Sequence, residues 1–376
     1  MPTLLENLTS DKILVLVGSR QVGKSSLIYL IIESLICEQH VNPNDIFYFN
    51  LDDLKLHELF ESIPDFIHFV GGGRSRKYLF IDEVQRLSNP GLFLKELYDL
   101  HLDLKIICSG SSQLEVKSKL KENLVGRARQ FEIQRLSFEE YLEFAHPTTR
   151  RQALEEMLIY GSYPAVAAVT QRMEKQLTVK DIYQSYVEKD LVDFLKVDNI
   201  QAFNRLLGLL ANQIGSLLNI ENLCKTARAG RGQIEHYLTI LENTFIIRRI
   251  YPFFENYKKE ITKTPKVYFM DLGLRNFALN NFSSPLDSRT DVGKLFENFY
   301  LLELIHQDIL GLQKINFWRT TNQTEIDFIV TRGGRREAIE VKWGKPTPPK
   351  SFKSIKKHYP DMQTTVVSTA KFVKSW

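Results

Sequence analysis

Eight residues constrain this chain of 376 more than any other stretch: Gly18-Ser19-Arg20-Gln21-Val22-Gly23-Lys24-Ser25. They fit the phosphate-binding loop pattern G-x-x-x-x-G-K-[ST] at every fixed position. The setting agrees with the pattern. Ile13 to Val17 is an unbroken apolar run, as a strand buried on both faces requires. Ser25 to Leu35 reads as a helix with Leu27, Leu30, Ile31 and Leu35 on one face. Gly18 and Gly23 permit a tight turn and a close backbone approach. The helix N-terminus and its free N–H groups then face a phosphate chain. Residues Gly18, Ser19, Arg20, Gln21, Val22, Gly23, Lys24, Ser25 and Ser26 are the expected lining. Lys24 is expected to reach the β- and γ-phosphates of ATP, and the Ser25 hydroxyl to hold Mg2+.

A second acidic motif follows at the spacing such a loop needs. Tyr78-Leu79-Phe80-Ile81 runs into Asp82-Glu83. A buried parallel strand delivers its last residues to the carboxyl edge of the sheet, where ligands bind. Asp82 is the expected Mg2+ partner and Glu83 the expected base for the attacking water. Acids after a strand also cap helices, so that use stays open. Lys105 to Cys108 is a further strand, ending in Ser109-Gly110-Ser111-Ser112. Ser109 and Ser111 are candidates to sense the γ-phosphate, with a plain turn as the alternative. Arg127 or Arg129 is a candidate arginine finger toward a neighbouring subunit, or a salt-bridged surface arginine. Leu54 to Phe69 and Asn89 to Leu100 read as helices, the latter with Phe93, Leu94, Leu97 and Leu100 inward.

GSRQVGKS and IDEVQR, with the later SGSS, GRARQFEIQRLSFEEYLEF and YGSYPAV, resemble the AAA+-like ATPases of the AAA_14 type. In that family the ATPase is fused to a DUF4143-type C-terminal region. The resemblance implies an α/β P-loop sheet whose acidic strand is separated from the loop strand by one strand. It also implies ATP and Mg2+ as ligands, ATP hydrolysis, and a homo-oligomer or protein partner.

Composition bounds the rest. Hydrophobic residues make up 43% and charged residues 25%, as in ordinary globular chains. The net charge of +4 permits nucleic acid without pointing to it. Cys37, Cys108 and Cys224 show no metal or disulfide spacing, so a reducing cytoplasm is the simplest expectation. The longest apolar run, Leu27 to Cys37, is broken by Glu33 and too short for a bilayer, and no signal peptide is read.

Four segments are expected: a P-loop domain at 1–145, a helical linker or lid at 146–200, a winged helix-turn-helix at 201–290, and a small restriction-endonuclease-like α/β domain at 291–376. The third rests on the order helix, short helix, turn, helix and two strands. Lys225, Arg228 and Arg231 are candidates for phosphate contact, and Gln233 or His236 for a groove. Lys258, Lys259, Lys263 and Lys266 cluster near the wing. DNA is therefore a candidate partner, as is a protein surface.

The fourth rests on two alternating segments, Thr324 to Val330 and Glu337 to Lys342, joined through Gly333-Gly334. With those glycines as the turn, Arg332 pairs with Arg335, Asp327 falls opposite Glu340 and Glu325 opposite Lys342. Two facing carboxylates ask for a cation. The spacing Asp…Glu-x-Lys resembles the PD-(D/E)xK nuclease-like fold. That likeness implies Asp327 and Glu340 as Mg2+ ligands, Lys342 beside the attacking water or the phosphate, and Glu297 as an additional acid. The alternative is a hairpin whose charges pair with each other, Glu325 with Lys342. A nucleotide-coupled DNA binder, a nucleotide-gated protein switch and an ATP-regulated metal-dependent nuclease all remain open on the sequence.

Overall fold

The computed structural model describes residues 2–71, 75–110, 123–190, 199–254, 263–320 and 322–373. Its contacts divide the chain into two compact units, 1–134 and 135–376.

In the first unit five strands form one parallel sheet. They are β1 (Ile13–Val17), β2 (Ile46–Asn50), β3 (Lys77–Asp82), β4 (Leu104–Gly110) and β5 (Ala128–Glu132), in the order β2-β3-β4-β1-β5. The acidic strand β3 is thus one strand away from β1. All five residues of β1 are buried, so its apolar run has both faces covered. Helix α1 (Lys24–Cys37) packs Ile28, Ile31 and Leu35 on Leu14, Leu16, Phe80, Ile107 and Phe131. The stripe is 28-31-35, and Leu30 is 51% exposed. Residue 30 lies roughly 100° round the helix from Ile31, off the buried stripe, which corrects the face expected from sequence. The Phe49, Phe60, Phe66 and Phe93 rings interlock at 5.0–5.6 Å elsewhere in this unit. The segment read as one helix over 54–69 is two pieces, a 3-10 stretch at Leu54–Phe60 and α2 (Ile63–Val70). Ser62 accepts from the Asp65 N–H and Pro64 sits in the first turn, a capped start that interrupts the helix. Helix α3 (Pro90–Asp99) buries Phe93, Leu94 and Leu97 but leaves Leu100, just past its end, 46% exposed.

The second unit begins with helices α4 (Phe138–Ala145), α5 (Arg150–Tyr160) and α6 (Arg172–Ile182), the last continued by a π-helical stretch at Tyr183–Asp190. Then come α7 (Ile200–Asn212), α8 (Ile220–Ala227), α9 (Arg231–Asn243) and an antiparallel pair, β6 (Ile247–Ile250) with β7 (Lys266–Phe269). Leu217 adds an antiparallel bridge to Lys266. Helices α10 (Leu272–Ala278) and α11 (Val292–His306) lead into a sheet of order β11-β10-β9-β8. Its strands are β8 (Lys314–Arg319), β9 (Glu325–Arg332), β10 (Arg335–Lys342) and β11 (Gln363–Ser368), with α12 (Ser351–His358) between the last two. Gly333 and Gly334 both take positive φ, 52° and 82°, and Arg332 pairs with Arg335 as the turn chemistry predicts.

A buried corner pins the start of this unit. The Arg135 guanidinium donates to Met270 O (2.9 Å), Tyr163 Oη (2.7 Å) and Phe245 O (3.1 Å). Asp271 accepts from the Ser162 and Leu274 N–H groups, each at 2.9 Å, which also caps α10. Gly161 has φ +80°, and a Cβ there would lie 2.3 Å from Asp271 Oδ1. The Gly161-Ser162-Tyr163-Pro164 run that follows α5 forms this corner.

Candidate functional site

The sheet register builds the first site. Leu16 pairs with Ser109, Val17 with Gly110, and Ile81 with Cys108. The ends of β1, β4 and β3 therefore lie in one row, with Ser109 beside Asp82 and the loop springing from Val17. Gly18 is required by its neighbour: a Cβ there would come within 2.4 Å of the Ile133 carbonyl oxygen. Gln21 (φ 61°) and Gly23 (φ 93°) turn the chain back into α1. Ser19, Val22 and Lys24 are buried, Arg20 and Ser25 half-buried, and Gln21 and Ser26 exposed. The Lys24 ammonium donates to the carbonyls of Gly18 and Ser19, both at 3.0 Å. Burial holds it below the ordinary lysine value, with Glu83 and Asp82 acting the other way.

Three hydroxyls converge on the Asp82 carboxylate. Ser25 and Tyr48 donate to Oδ2 and Ser109 to Oδ1, the tyrosine at 3.1 Å. Ser109 also accepts from the Glu83 N–H at 3.1 Å. Glu83 itself takes a left-handed conformation, φ 57°, and accepts from the Gln85 amide. The side chain of Glu83 makes no helix-cap bond. A serine hydroxyl against a carboxylate is a pair of hard oxygen donors, the donor chemistry that suits Mg2+. Tyr48 was not singled out from the sequence. Its strand shows only an aromatic run, with nothing to indicate that Oη reaches an acid on the next strand.

Arg127 precedes β5 at the opposite end of the sheet from the loop, since Ala128 pairs with Ile13 and Glu132 with Val17. The roughly five residues of strand between it and Glu132 put it about 16 Å from the loop end. It is held by Asp99 through Nε (2.7 Å) and Nη2 (3.0 Å), and Arg129 bonds Asn7. Neither belongs to its own chain's phosphate site. Ser111 and Ser112 lie outside the described residues, as do Lys258 and Lys259.

The second unit gathers the other predicted acids. The β9–β10 ladder runs as far as Phe328 with Ile339, and Asp327 and Glu340 are the residues just beyond that last pair, where the expected pairing is not continued. Asp327 Oδ2 accepts from the Val341 N–H at 2.8 Å. Glu340 Oε1 pairs with Lys342 Nζ at 2.6 Å. Glu297, on α11, pairs through Oε1 with Lys266 (3.4 Å) and through Oε2 with Lys294 (2.7 Å), and Tyr268 Oη donates to its Oε1 at 2.6 Å. Glu325 does not pair with Lys342. It pairs with Lys266 at 2.5 Å and with Arg319 at 3.3 Å. Lys266, grouped from sequence with the lysines near the wing, is 1% exposed. Burial opposes its charge, but Glu297, Glu325 and Asp327 outweigh that and hold it above the ordinary lysine value. Burial, with Glu297 and Glu340 adding to it, pushes the Asp327 carboxyl up to about 8. Among the described residues, no three His, Cys, Asp or Glu side chains are grouped so as to hold a metal ion. Of the predicted nuclease residues, Glu297 is held by the Lys266 ammonium, Glu340 by Lys342 and Asp327 by the Val341 N–H. Also among the described residues, no helix is long and apolar enough to cross a membrane.

Comparison with known proteins agrees with this division. The AAA domain model AAA_14 matches residues 10–142. Two domains of unknown function match further on, DUF8612 over 151–285 and DUF4143 over 292–374. An uncharacterized protein of Methanocaldococcus jannaschii is 26% identical over 89% of this chain and 75% of its own length. One from Haemophilus influenzae is 22% identical over 90% of this chain and 84% of its own. Among solved structures, an ORC2 protein of Aeropyrum pernix aligns with a TM-score of 0.43 at 11% identity, covering 81% of this chain and 91% of that one. The chain carries an AAA-type, P-loop ATPase-like domain on a five-stranded parallel sheet, followed by a DUF4143 domain.

Proposed function

We propose that the first unit binds and hydrolyses ATP, and that nucleotide state controls nucleic-acid binding by the second unit. The observation that carries the ATPase reading is the row of Ser25, Asp82 and Ser109 beside the buried Lys24. Lys24 and the N–H groups of the loop and of α1 bind the phosphates. Ser25 and Asp82 would hold Mg2+, which when bound neutralises phosphoryl oxygen charge. Glu83, its carboxylate oriented by Gln85, takes the proton of the attacking water. Ser109 is a positioning residue, fixing Asp82 and the Glu83 backbone. Arg127 and Arg129 can meet a nucleotide only on a neighbouring subunit of a homo-oligomer. Lys24→Ala should abolish nucleotide binding. Glu83→Gln should keep binding and lower turnover by at least about a hundredfold, the scale of general base catalysis. Steady-state hydrolysis and fluorescent-nucleotide titration check both, and unchanged turnover in Glu83→Gln removes it from this role.

The nucleic-acid part rests on the second unit's element order and charge. Helices α7, α8 and α9 with the β6–β7 pair have the order of a winged helix. Lys225, Arg228, Arg231 and His236 are exposed on it. The β8–β11 sheet with α11 suits a nuclease-like fold serving as a binding module. Arg335, Arg336 and His358 line a cleft of about 460 Å³ there, and Lys353, Lys356 and Lys357 lie exposed on α12. A second reading, a nucleotide-gated protein-binding switch, is favoured by the pairing of Arg231 with Glu235 and of Gln233 with Tyr237, which engages one phosphate candidate and one groove candidate within the helix. Salt decides: phosphate contacts make log affinity fall linearly with log salt. The absence of salt-sensitive binding to single- or double-stranded DNA leaves the switch.

A further inference from the structure

The acidic cluster at Glu297, Glu325, Asp327 and Glu340 has the composition of a metal site but not its bonding. Each acid comes from an element that fixes it: Glu297 from α11, Glu325 and Asp327 from β9, Glu340 from β10. Their oxygens are largely committed. Both oxygens of Glu297 are taken, by Tyr268 and Lys266 on one side and Lys294 on the other. Both of Glu325 are taken, by Lys266 and Arg319. Asp327 Oδ2 holds the Val341 N–H, and Glu340 Oε1 holds Lys342. Glu340 Oε2 is buried with no hydrogen-bond partner among the described residues. Two open oxygens, Asp327 Oδ1 and Glu340 Oε2, are far from the six donors that Mg2+ takes.

Lys266 is the reason. It comes from β7, outside the β8–β11 sheet, and its ammonium sits between Glu297 and Glu325 with its methylenes fully enclosed. Phe317 lies against it, with the ring centroid 5.3 Å from Nζ. The backbone holds it there: Lys266 is bridged to Leu217 and paired with Ile250. Close by, Phe253 N–H donates to Phe317 O at 2.6 Å and Phe317 N–H to Tyr251 O at 3.2 Å. An ammonium placed between the buried Glu297 and the half-buried Glu325 repels a divalent cation and satisfies the charge such a cation would otherwise balance.

We propose that Lys266 is the built-in counter-ion of this cleft, so that the cluster is a metal-independent joint fastening the β6–β7 segment to the C-terminal sheet. The inference stands apart from the nucleotide reading and survives its failure. The probe is Mn2+ alone, without nucleotide, on the full chain carrying Asp82→Asn to remove the carboxylate of the other site. Loss of the free-ion paramagnetic resonance signal reports binding. The expected result is no saturable site that depends on the cleft. Saturable binding abolished by Glu340→Gln overturns the proposal, whereas binding that survives Glu340→Gln lies elsewhere and is consistent with it. A second measurement uses stability. Lys266→Met should lower the thermal midpoint of the second unit by roughly 10 °C or leave it unfolded, because it strips the charge partner from buried acids. Lys266→Arg, keeping the charge, should retain most of that midpoint. A Lys266→Met protein as stable as the parent overturns the counter-ion role.

Discussion

Glu303 shows how far one buried side chain can set the pH response of this protein. It lies on α11, 9% exposed, and accepts the Phe138 N–H at 2.9 Å. Burial pushes its carboxyl up to about 7; the Phe138 N–H opposes this, and Glu140 and Glu139 add to it. The sign follows from linkage. A folded value above the unfolded 4.5 means that the native state holds the proton more tightly. The stabilisation is fully present below that unfolded value and is lost as pH rises through about 7. The span corresponds to about 3 kcal/mol. Glu303→Gln keeps an acceptor oxygen for Phe138 and removes the titration. Its urea midpoint should fall less than the parent's across that interval, since Asp327 titrates in both proteins, and parallel curves for the two would refute the assignment. The same scale marks what sequence could reveal. Lys24, Ser25 and Asp82 were legible because a phosphate loop fixes both residue type and spacing. Tyr48, Lys266 and the Arg135–Asp271 corner were not, since their partners lie far away in sequence and each is an ordinary residue until the chain folds.

Elements follow the same logic, with β4 as the instructive case. Its apolar core Ile106-Ile107-Cys108 made the strand visible, yet the lysine that begins the run is as buried as its neighbours, at 1% exposure. Lys105 Nζ donates to the carbonyls of Asn7 (2.8 Å), Ser10 (2.7 Å) and Lys12 (2.8 Å). One ammonium thus satisfies the turn that delivers the chain into β1, the strand that carries the phosphate loop. Lys105→Met keeps the length and apolar stem but leaves three half-buried carbonyls without their donor, a cost of about 2 kcal/mol. Chemical denaturation should show that loss, and hydrogen exchange should quicken at residues 3–12 before it does in β3. Equal protection of that segment in both proteins would mean that Lys105 is not its anchor. The strands themselves and the Gly333-Gly334 hairpin turn were legible because buried runs and turn glycines are local signals, whereas the strand order was implied only by the family resemblance. The outward turn of Leu30 and the break at Ser62 were not. Which side of a largely apolar helix meets the sheet is decided by packing, and a serine cap inside an apolar pattern is silent until its N–H partner is in place.

At the scale of the whole molecule, the two compact units make the proposed coupling a thermodynamic question. A ligand that binds the native first unit stabilises it by RT ln(1 + [L]/Kd), about 2.7 kcal/mol at a hundredfold excess over Kd. Units that fold independently confine that gain to residues 1–134. Units that are linked share it, because any free energy by which nucleotide favours one arrangement of the second unit must appear in that unit's own stability. Hydrogen exchange with and without Mg2+ and a non-hydrolysable ATP analogue separates the two. Protection should rise around Gly18–Ser26 and Asp82 in either case. The coupling proposed here further requires a change in α9, β7 or α11, and requires Lys24→Ala to erase both effects together. Protection confined to the first unit would leave an ATPase with an attached but unresponsive partner. The salt-sensitive DNA binding expected of the second unit would then be the same with and without nucleotide.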